Sequence, residues 1–441
     1  MSPTASHHPS SAVVIGSGVI GTACAYYLQR SGWKVTLIDK GEPASGSSHA
    51  NCGYICPSHV LPLAEPGMVG QALRSLLKRN SPFAIRPRMD PALWSWLLHF
   101  ARRCNEPQMI EGGRAIQPLL LSSLDLYKEL IRGENLDCEF EERGLLFPYR
   151  SKEALDAYAA INRLLAETFD CPARRLDRNE LIELEPALKP DLAGGWYYHD
   201  DAHLRPDKLM SAWHRLLTDS GAVIRSHCPF EEFSGSNRRA DSAKTGQGGL
   251  SADVFIVATG AWTPKLNDAL GCRIPIEPGK GYSLTMPRPS VCPQVPMIFP
   301  ETRVAVTPFR SGYRLGSTME FAGYDESICP ERLQLLRDGA TPYLREPYCD
   351  PVEEQWFGWR PMTYDSLPII DRTPRFENVY IAAGHNMLGL SMATATGKLV
   401  AELIEGRAPH IDPSPYRVAR FSNPGRTRHS ATTTLHGADR A

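Results

Sequence analysis

Gly16-Ser17-Gly18-Val19-Ile20-Gly21 spaces glycines as G-x-G-x-x-G, and an acid, Asp39, follows at the distance of the next strand end. Residues of these types at this spacing can bind a dinucleotide. Gly16 permits a tight turn, Gly18 lets the backbone approach a pyrophosphate, and Gly21 lets a helix pack closely on a strand. Asp39 accepts hydrogen bonds from an adenosine ribose and repels a 2′-phosphate. At the other end of the chain, Arg360 stands in Gly358-Trp359-Arg360-Pro361-Met362-Thr363-Tyr364-Asp365. Its planar fork matches a carboxylate bidentately, which lysine cannot do. Tyr282 offers a hydroxyl that can close over a carboxylate or an amine. His385 offers an imidazole that can modulate cofactor charge or an amine proton.

These groups need elements to position them. Ala12-Val13-Val14-Ile15 reads as a buried strand, Val19, Ile20, Ala23, Tyr27 and Leu28 as one face of a helix, and Val35–Ile38 as a strand ending on Asp39. A second strand-turn-helix lies far away, with Val379–Ala383, a turn from Gly384 to Gly389, and Met392, Ala395, Leu399 and Leu403 at helical spacing. Between them Asp253–Val257 runs into Ala258-Thr259-Gly260. FAD is long enough to use both helix N-termini, one at its pyrophosphate and one at its flavin ring. The pairing therefore favours FAD over NAD.

The loop Ser47-Ser48-His49-Ala50-Asn51-Cys52-Gly53, the stretch Pro278-Gly279-Lys280-Gly281-Tyr282-Ser283-Leu284-Thr285 and the G-W-R-P-M-T-Y-D segment complete a pattern. With them the chain resembles the D-amino-acid oxidase superfamily, its dehydrogenase branch most, over about residues 11 to 420. The resemblance implies an α/β fold in which a Rossmann-like FAD-binding domain is interleaved with an α+β substrate domain. It also implies that Gly16, Gly18, Val19, Ile20, Gly21, Asp39, Lys40, Ser47, Ser48, His49, Asn51, Gly53, Thr259, Gly260, Gly384, Met387, Gly389 and Leu390 hold FAD. Arg360 would bind the substrate carboxylate, with Tyr282 and His385 beside it. The implied reaction moves a hydride from the α-carbon of a D-amino acid to flavin N5, giving an imine and then a 2-oxo acid. Two alternatives stand beside it: a dehydrogenase of a cyclic secondary amino acid such as D-proline or cis-4-hydroxy-D-proline, and an auxiliary flavin-binding subunit of a larger assembly. The chain departs from glycine oxidase in having no arginine at His385-Asn386-Met387, and it has Gly358 where monomeric sarcosine oxidase tethers its flavin through cysteine. Met387 and Leu388 suggest an apolar wall. The electron acceptor, whether oxygen, a quinone or a partner protein, is open.

Composition sets the outer limits. The 441 residues, 42% of them hydrophobic, suffice for two domains, and a formal charge of -1 gives no basic footprint for nucleic acid. Eleven cysteines with no C-x-x-C read as free thiols in a cytoplasmic protein, Cys52 and Cys56 being the nearest pair. No run of about 20 apolar residues is present. Leu93-Trp94-Ser95-Trp96-Leu97-Leu98-His99-Phe100-Ala101-Arg102-Arg103 could seat on a membrane surface, although packing within the substrate domain is the preferred reading. His199-Asp200-Asp201-Ala202-His203 carries metal-ligand residue types without a further ligand at zinc-like spacing, so a structural or cleft-facing role is expected and no metal is assigned. Residues 11–60, 197–268 and 356–418 are expected to form the FAD domain and 61–196 and 269–355 the substrate domain. Ser234–Gly249 reads as a mobile surface loop, and the tails 1–10 and 423–441 as disordered.

Overall fold

The computed structural model describes residues 10–70, 72, 81–86 and 88–421. Both expected tails fall outside this range except Ser10.

The N-terminal apolar run forms the strand Ser11–Ile15 in the middle of a six-stranded sheet. It lies between Lys34–Ile38 and Val254–Val257, paired in parallel with each, and Val223–Arg225 and Val379–Ala383 extend the parallel set outward. Ile369–Arg372 closes one edge antiparallel. Strands covered on both faces must be apolar on both, which is why Ala12 to Ile15 is continuously hydrophobic rather than alternating. The helices Val19–Arg30 and Gly389–Glu405 pack on one face. They approach so closely that a Cβ on Gly397 would sit 2.5 Å from the Ala23 carbonyl carbon. A long helix, Glu106–Gly133, backs them, with the Tyr127 hydroxyl donating to Leu390 O at 2.9 Å.

The second sheet has nine strands and is mostly antiparallel. Near one edge of it Ile276–Met286 lies between Gly312–Phe321 and the edge strand Glu354–Thr363. The Arg360 segment thus belongs to this sheet, although the expected division gave residues from 356 onward to the FAD domain. The glycine and proline around Arg360 read as turn signals, but Pro361 sits in an edge strand, where its missing N–H costs no ladder bond.

The Ser234–Gly249 expectation is corrected. The segment lies within a three-stranded antiparallel sheet, Phe230–Ser236, Arg239–Thr245 and Gly248–Ser251. Phe233, Ala240 and Ala243 face a core shared with Phe255, while charged residues face water. The small inward residues gave too weak an alternation to stand out among the glycines and serines. The Pro206–Asp219 helix forms as read, with its proline in the first turn. In Pro91–Arg103, Leu93 and Trp96 are buried and Trp94 and Leu98 exposed, so one face packs and the other meets solvent. No described helix is long and apolar enough to cross a membrane.

Candidate active site

The carboxyl ends of the parallel strands open on a cleft of about 2420 Å³ whose far wall is the second sheet. Single ligand pockets commonly measure about 300–1,000 Å³, so this space admits a large cofactor together with a small substrate. The residues singled out above all line it except Gly21, Gly384 and His49.

Gly16 has φ +105, and a Cβ there would lie 2.5 Å from Ala258 O. A Cβ on Gly21 would lie 1.9 Å from Gly16 O, so Gly21 acts by packing and is hidden from the cleft. The Val19–Arg30 helix has Gly18 as its cap residue, no side-chain cap and no acid in its first turn. Its positive end therefore faces the cleft with no acid of its own first turn beside it. Ser48 Oγ accepts the Val19 N–H at 2.9 Å and ties the Ser47–Gly53 loop to this end. Asn51 braces the same loop, donating to Ser47 O and accepting from the Gly53 N–H. Asp39 Oδ2 accepts from the Ser17 backbone N–H at 2.9 Å and from its hydroxyl at 2.8 Å, while Oδ1 accepts from the Gly41 N–H. The carboxylate is thus aimed at the cleft rim with lone pairs to spare. Lys40 stacks its ammonium 3.7 Å from the Trp262 ring centroid, and burial lowers its pKa. Thr259 pairs with Thr263 at the end of the Val254–Val257 strand. Ser17, Trp262 and Ser391 are contributors that residue spacing alone did not single out.

The His49 ring lies 2.6 Å from Glu354 and is not among the residues that line the cleft, and this hydrogen bond raises its pKa. The polar loop around it gave no sign of which side chains point inward. Gly384 supplies a left-handed turn, φ +75, instead of a lining surface.

The Gly389–Glu405 helix presents its uncapped N-terminus to the same cleft, with Met387, Leu388, Gly389 and Leu390 on the wall. His385 is buried, its Nε2 lies 3.0 Å from Thr396 Oγ1, and burial lowers its pKa to about 3. It is a neutral imidazole at physiological pH.

Arg360 reaches into the cleft from the second sheet. Its Nη1 donates to Thr318 O at 2.8 Å, and no acid among the described residues pairs with it. That carbonyl is turned inward by a bulge opposite Lys280 and Tyr282, where Ser317 and Thr318 adopt φ +112 and +53. Positive φ is costly for a β-branched residue and concentrates at functional sites. Nothing in the sequence announces it. Gly281 makes room for the guanidinium, since a Cβ there would lie 2.2 Å from Nη1. Tyr282 is buried and donates its hydroxyl to Glu320 at 2.9 Å, and burial raises its pKa. Glu320 is in turn held by Arg86 at 2.6 Å.

The His199–His203 segment splits. His199 and Asp200 are in solvent, His203 Nε2 lies 3.1 Å from Pro308 O, and Asp201 turns inward to Ser58.

A parallel sheet with two helix N-termini over its carboxyl edge, faced by a separate sheet from which Arg360 enters the cleft without an acidic partner among the described residues, is a dinucleotide-binding arrangement. The chain belongs to the FAD dependent oxidoreductase (DAO) family, whose model matches residues 11–403. It is 31% identical over 420 residues to a D-amino acid dehydrogenase of Granulibacter bethesdensis, covering 93% of this chain and 99% of that one. It is 33% identical over 422 residues to a D-amino acid dehydrogenase of Paramagnetospirillum magneticum, with the same coverage. The fold is similar to that of glycine oxidase from Geobacillus kaustophilus, with a TM-score of 0.76 at 21% identity over 94% of this chain and 100% of that one. The protein is an FAD-dependent oxidoreductase. The residues present fit that cofactor, because Gly16 and Gly18 leave the turn before the Val19–Arg30 helix open to the cleft and Asp39 stands at its rim.

Proposed function

We propose that the protein oxidises the α-amine of a D-amino acid, with Arg360 holding the substrate carboxylate. The observation that carries this reading is the unpaired guanidinium in the cleft wall, given room by Gly281 and steadied by Thr318 O. A half-buried cation without a protein anion is stabilised when a ligand supplies the charge. The D configuration rests on the full-length likeness to relatives named D-amino acid dehydrogenases.

FAD, when bound, would supply the acceptor for the substrate's α-hydrogen and its electron pair. The chain's residues orient the substrate for this. Arg360 keeps donors free for a carboxylate after bonding to Thr318 O. Tyr282 has spent its proton on Glu320, so what remains for a ligand is the oxygen lone pair. It suits an amine N–H better than a carboxylate. The uncapped Gly389–Glu405 helix places positive potential at the cofactor end of the cleft. His385, neutral and held by Thr396, positions the turn before that helix without carrying a proton. No side chain needs to abstract a proton if the amine arrives neutral.

The test is anaerobic mixing of the purified yellow protein with D- and L-amino acids, D-proline, hydroxyproline epimers and sarcosine, following loss of flavin absorbance. Reduction by D-amino acids in preference to their L enantiomers is expected. Reduction by L-amino acids alone, or only by amines without a carboxylate, overturns the proposal.

A further inference from the structure

We propose that Cys56, His59 and Asp201 form a site for a divalent cation of the zinc class in the wall of the cleft. Their ligand atoms lie within 4.8 Å of one another, with Cys56 and Asp201 buried and His59 partly so. Cys56 and His59 line the cleft, so a fourth coordination position can open to it.

The backbone fixes this arrangement twice over. Cys56 and His59 bracket a turn closed by the His59 N–H donating to Cys56 O at 3.2 Å, which brings two side chains three residues apart onto one side. Asp201 arrives across a ladder. Tyr54–Ile55 pairs antiparallel with Ala202–His203 in the register Tyr54 to His203 and Ile55 to Ala202, so the next position places Asp201 opposite Cys56. The Cys56 N–H donates to Ser391 Oγ at 3.2 Å, and the Ser58 N–H donates to Asp201 Oδ1 at 3.0 Å. The Cys56 main chain and the Asp201 carboxylate, which also accepts the Ser58 hydroxyl, are therefore anchored before any ion arrives.

An independent observation points to a cation. Asp201 is fully buried and forms no ion pair with lysine or arginine among the described residues. A carboxylate taken out of water without a counter-charge either stays protonated or recruits a positive ligand. Thiol and imidazole donors select a borderline-soft ion over magnesium or calcium. A tetrahedral ion with bonds of about 2.0–2.3 Å keeps its donors roughly 3.5 Å apart, so the three need close by little more than about 1 Å. On binding, the Cys56 S–H bond breaks and an S–metal bond forms. The thiol proton, and any on Asp201, passes to solvent, and nothing is oxidised or reduced.

The site is tested on the full-length FAD-loaded protein after dialysis against chelator, titrated with Co²⁺ as an optical probe and with Zn²⁺ in competition. Expected are one Co²⁺ per chain, intense four-coordinate d–d bands to the red of the flavin spectrum, a thiolate-to-cobalt charge-transfer band, and displacement of both by Zn²⁺. C56S should abolish the charge-transfer band, and H59Q should weaken binding at least about tenfold. C104S, remote from the cluster, should change neither. Because Asp201 also braces Ser58, D201N could unfold, and H59Q serves as the decisive second variant. No four-coordinate bands at stoichiometric Co²⁺, or bands that survive unchanged in C56S and H59Q, would overturn the proposal.

Discussion

Gly281→Ala tests the carboxylate clamp without touching the arginine. Gly281 lies in the Ile276–Met286 strand opposite Gly358, away from left-handed backbone, so alanine fits the main chain. Its new Cβ would lie 2.2 Å from Arg360 Nη1, 2.5 Å from Cζ and 2.6 Å from Nη2. Ordinary carbon contacts begin near about 3.5 Å, so the guanidinium must retreat by roughly 1 Å. That is easy for the end of a flexible side chain and hard for a strand paired on both sides. Folding should therefore be spared while the fork loses its geometry. A misplacement of about 1 Å can cost on the order of a hundredfold in rate, about 2.8 kcal/mol at roughly 1.4 kcal/mol per tenfold. Steady-state kinetics with the best D-amino acid should show kcat/KM down about a hundredfold, mainly through KM, with FAD content and Tm near wild type. Activity within about threefold of wild type at full FAD occupancy would refute the reasoning, because the guanidinium would then not need its present position. Loss of the flavin would refute it differently, by placing Gly281 in the cofactor's support.

Arg360→Ala should lower kcat/KM by two to three orders of magnitude or more, as removal of one partner of a desolvated pair costs roughly 3–5 kcal/mol, and Arg360→Lys should recover only part of it; FAD bound per chain, measured in the supernatant after acid precipitation, should not change. His385 is already neutral, its pKa lowered to about 3 by burial. His385→Asn should therefore leave the shape of the kcat–pH profile between pH 5 and 9 unaltered, and disappearance of a limb would show that the ring titrates during turnover. Glu139 is pushed up by desolvation but held down by hydrogen bonds from Lys208 and Ser311, the net being a pKa of about 2. A depressed carboxylate stabilises the fold above its unfolded pKa and loses that contribution as pH falls through the folded value. Glu139→Gln should thus destabilise at pH 7 by up to about 3 kcal/mol and converge on wild type near pH 2 in urea-melt comparisons.

What the sequence disclosed depended on whether the physics was local. The strand, glycine turn and helix at residues 11–30 were legible because each residue type answers a constraint from a near neighbour. Gly21 is small because Gly16 O lies where its Cβ would be. That Arg360 lines the cleft agrees with its being singled out by chemistry, since a guanidinium matches a carboxylate. Its mounting was not legible. The carbonyl that steadies it comes from Thr318, whose conformation is set by a bulge between strands far apart in sequence. Tyr282 could be marked as a hydroxyl, but that the hydroxyl is already donated depends on Glu320, held by Arg86 from a third segment. His49 looked like its neighbours Ser48 and Asn51, but it pairs with Glu354 and is not among the residues that line the cleft. The His199–His203 cluster shows the converse. Its sequence neighbours go separate ways, while Asp201 meets Cys56 and His59 through a ladder register. Residue types announce which chemistry a chain can perform, whereas strand register decides which of those residues meet.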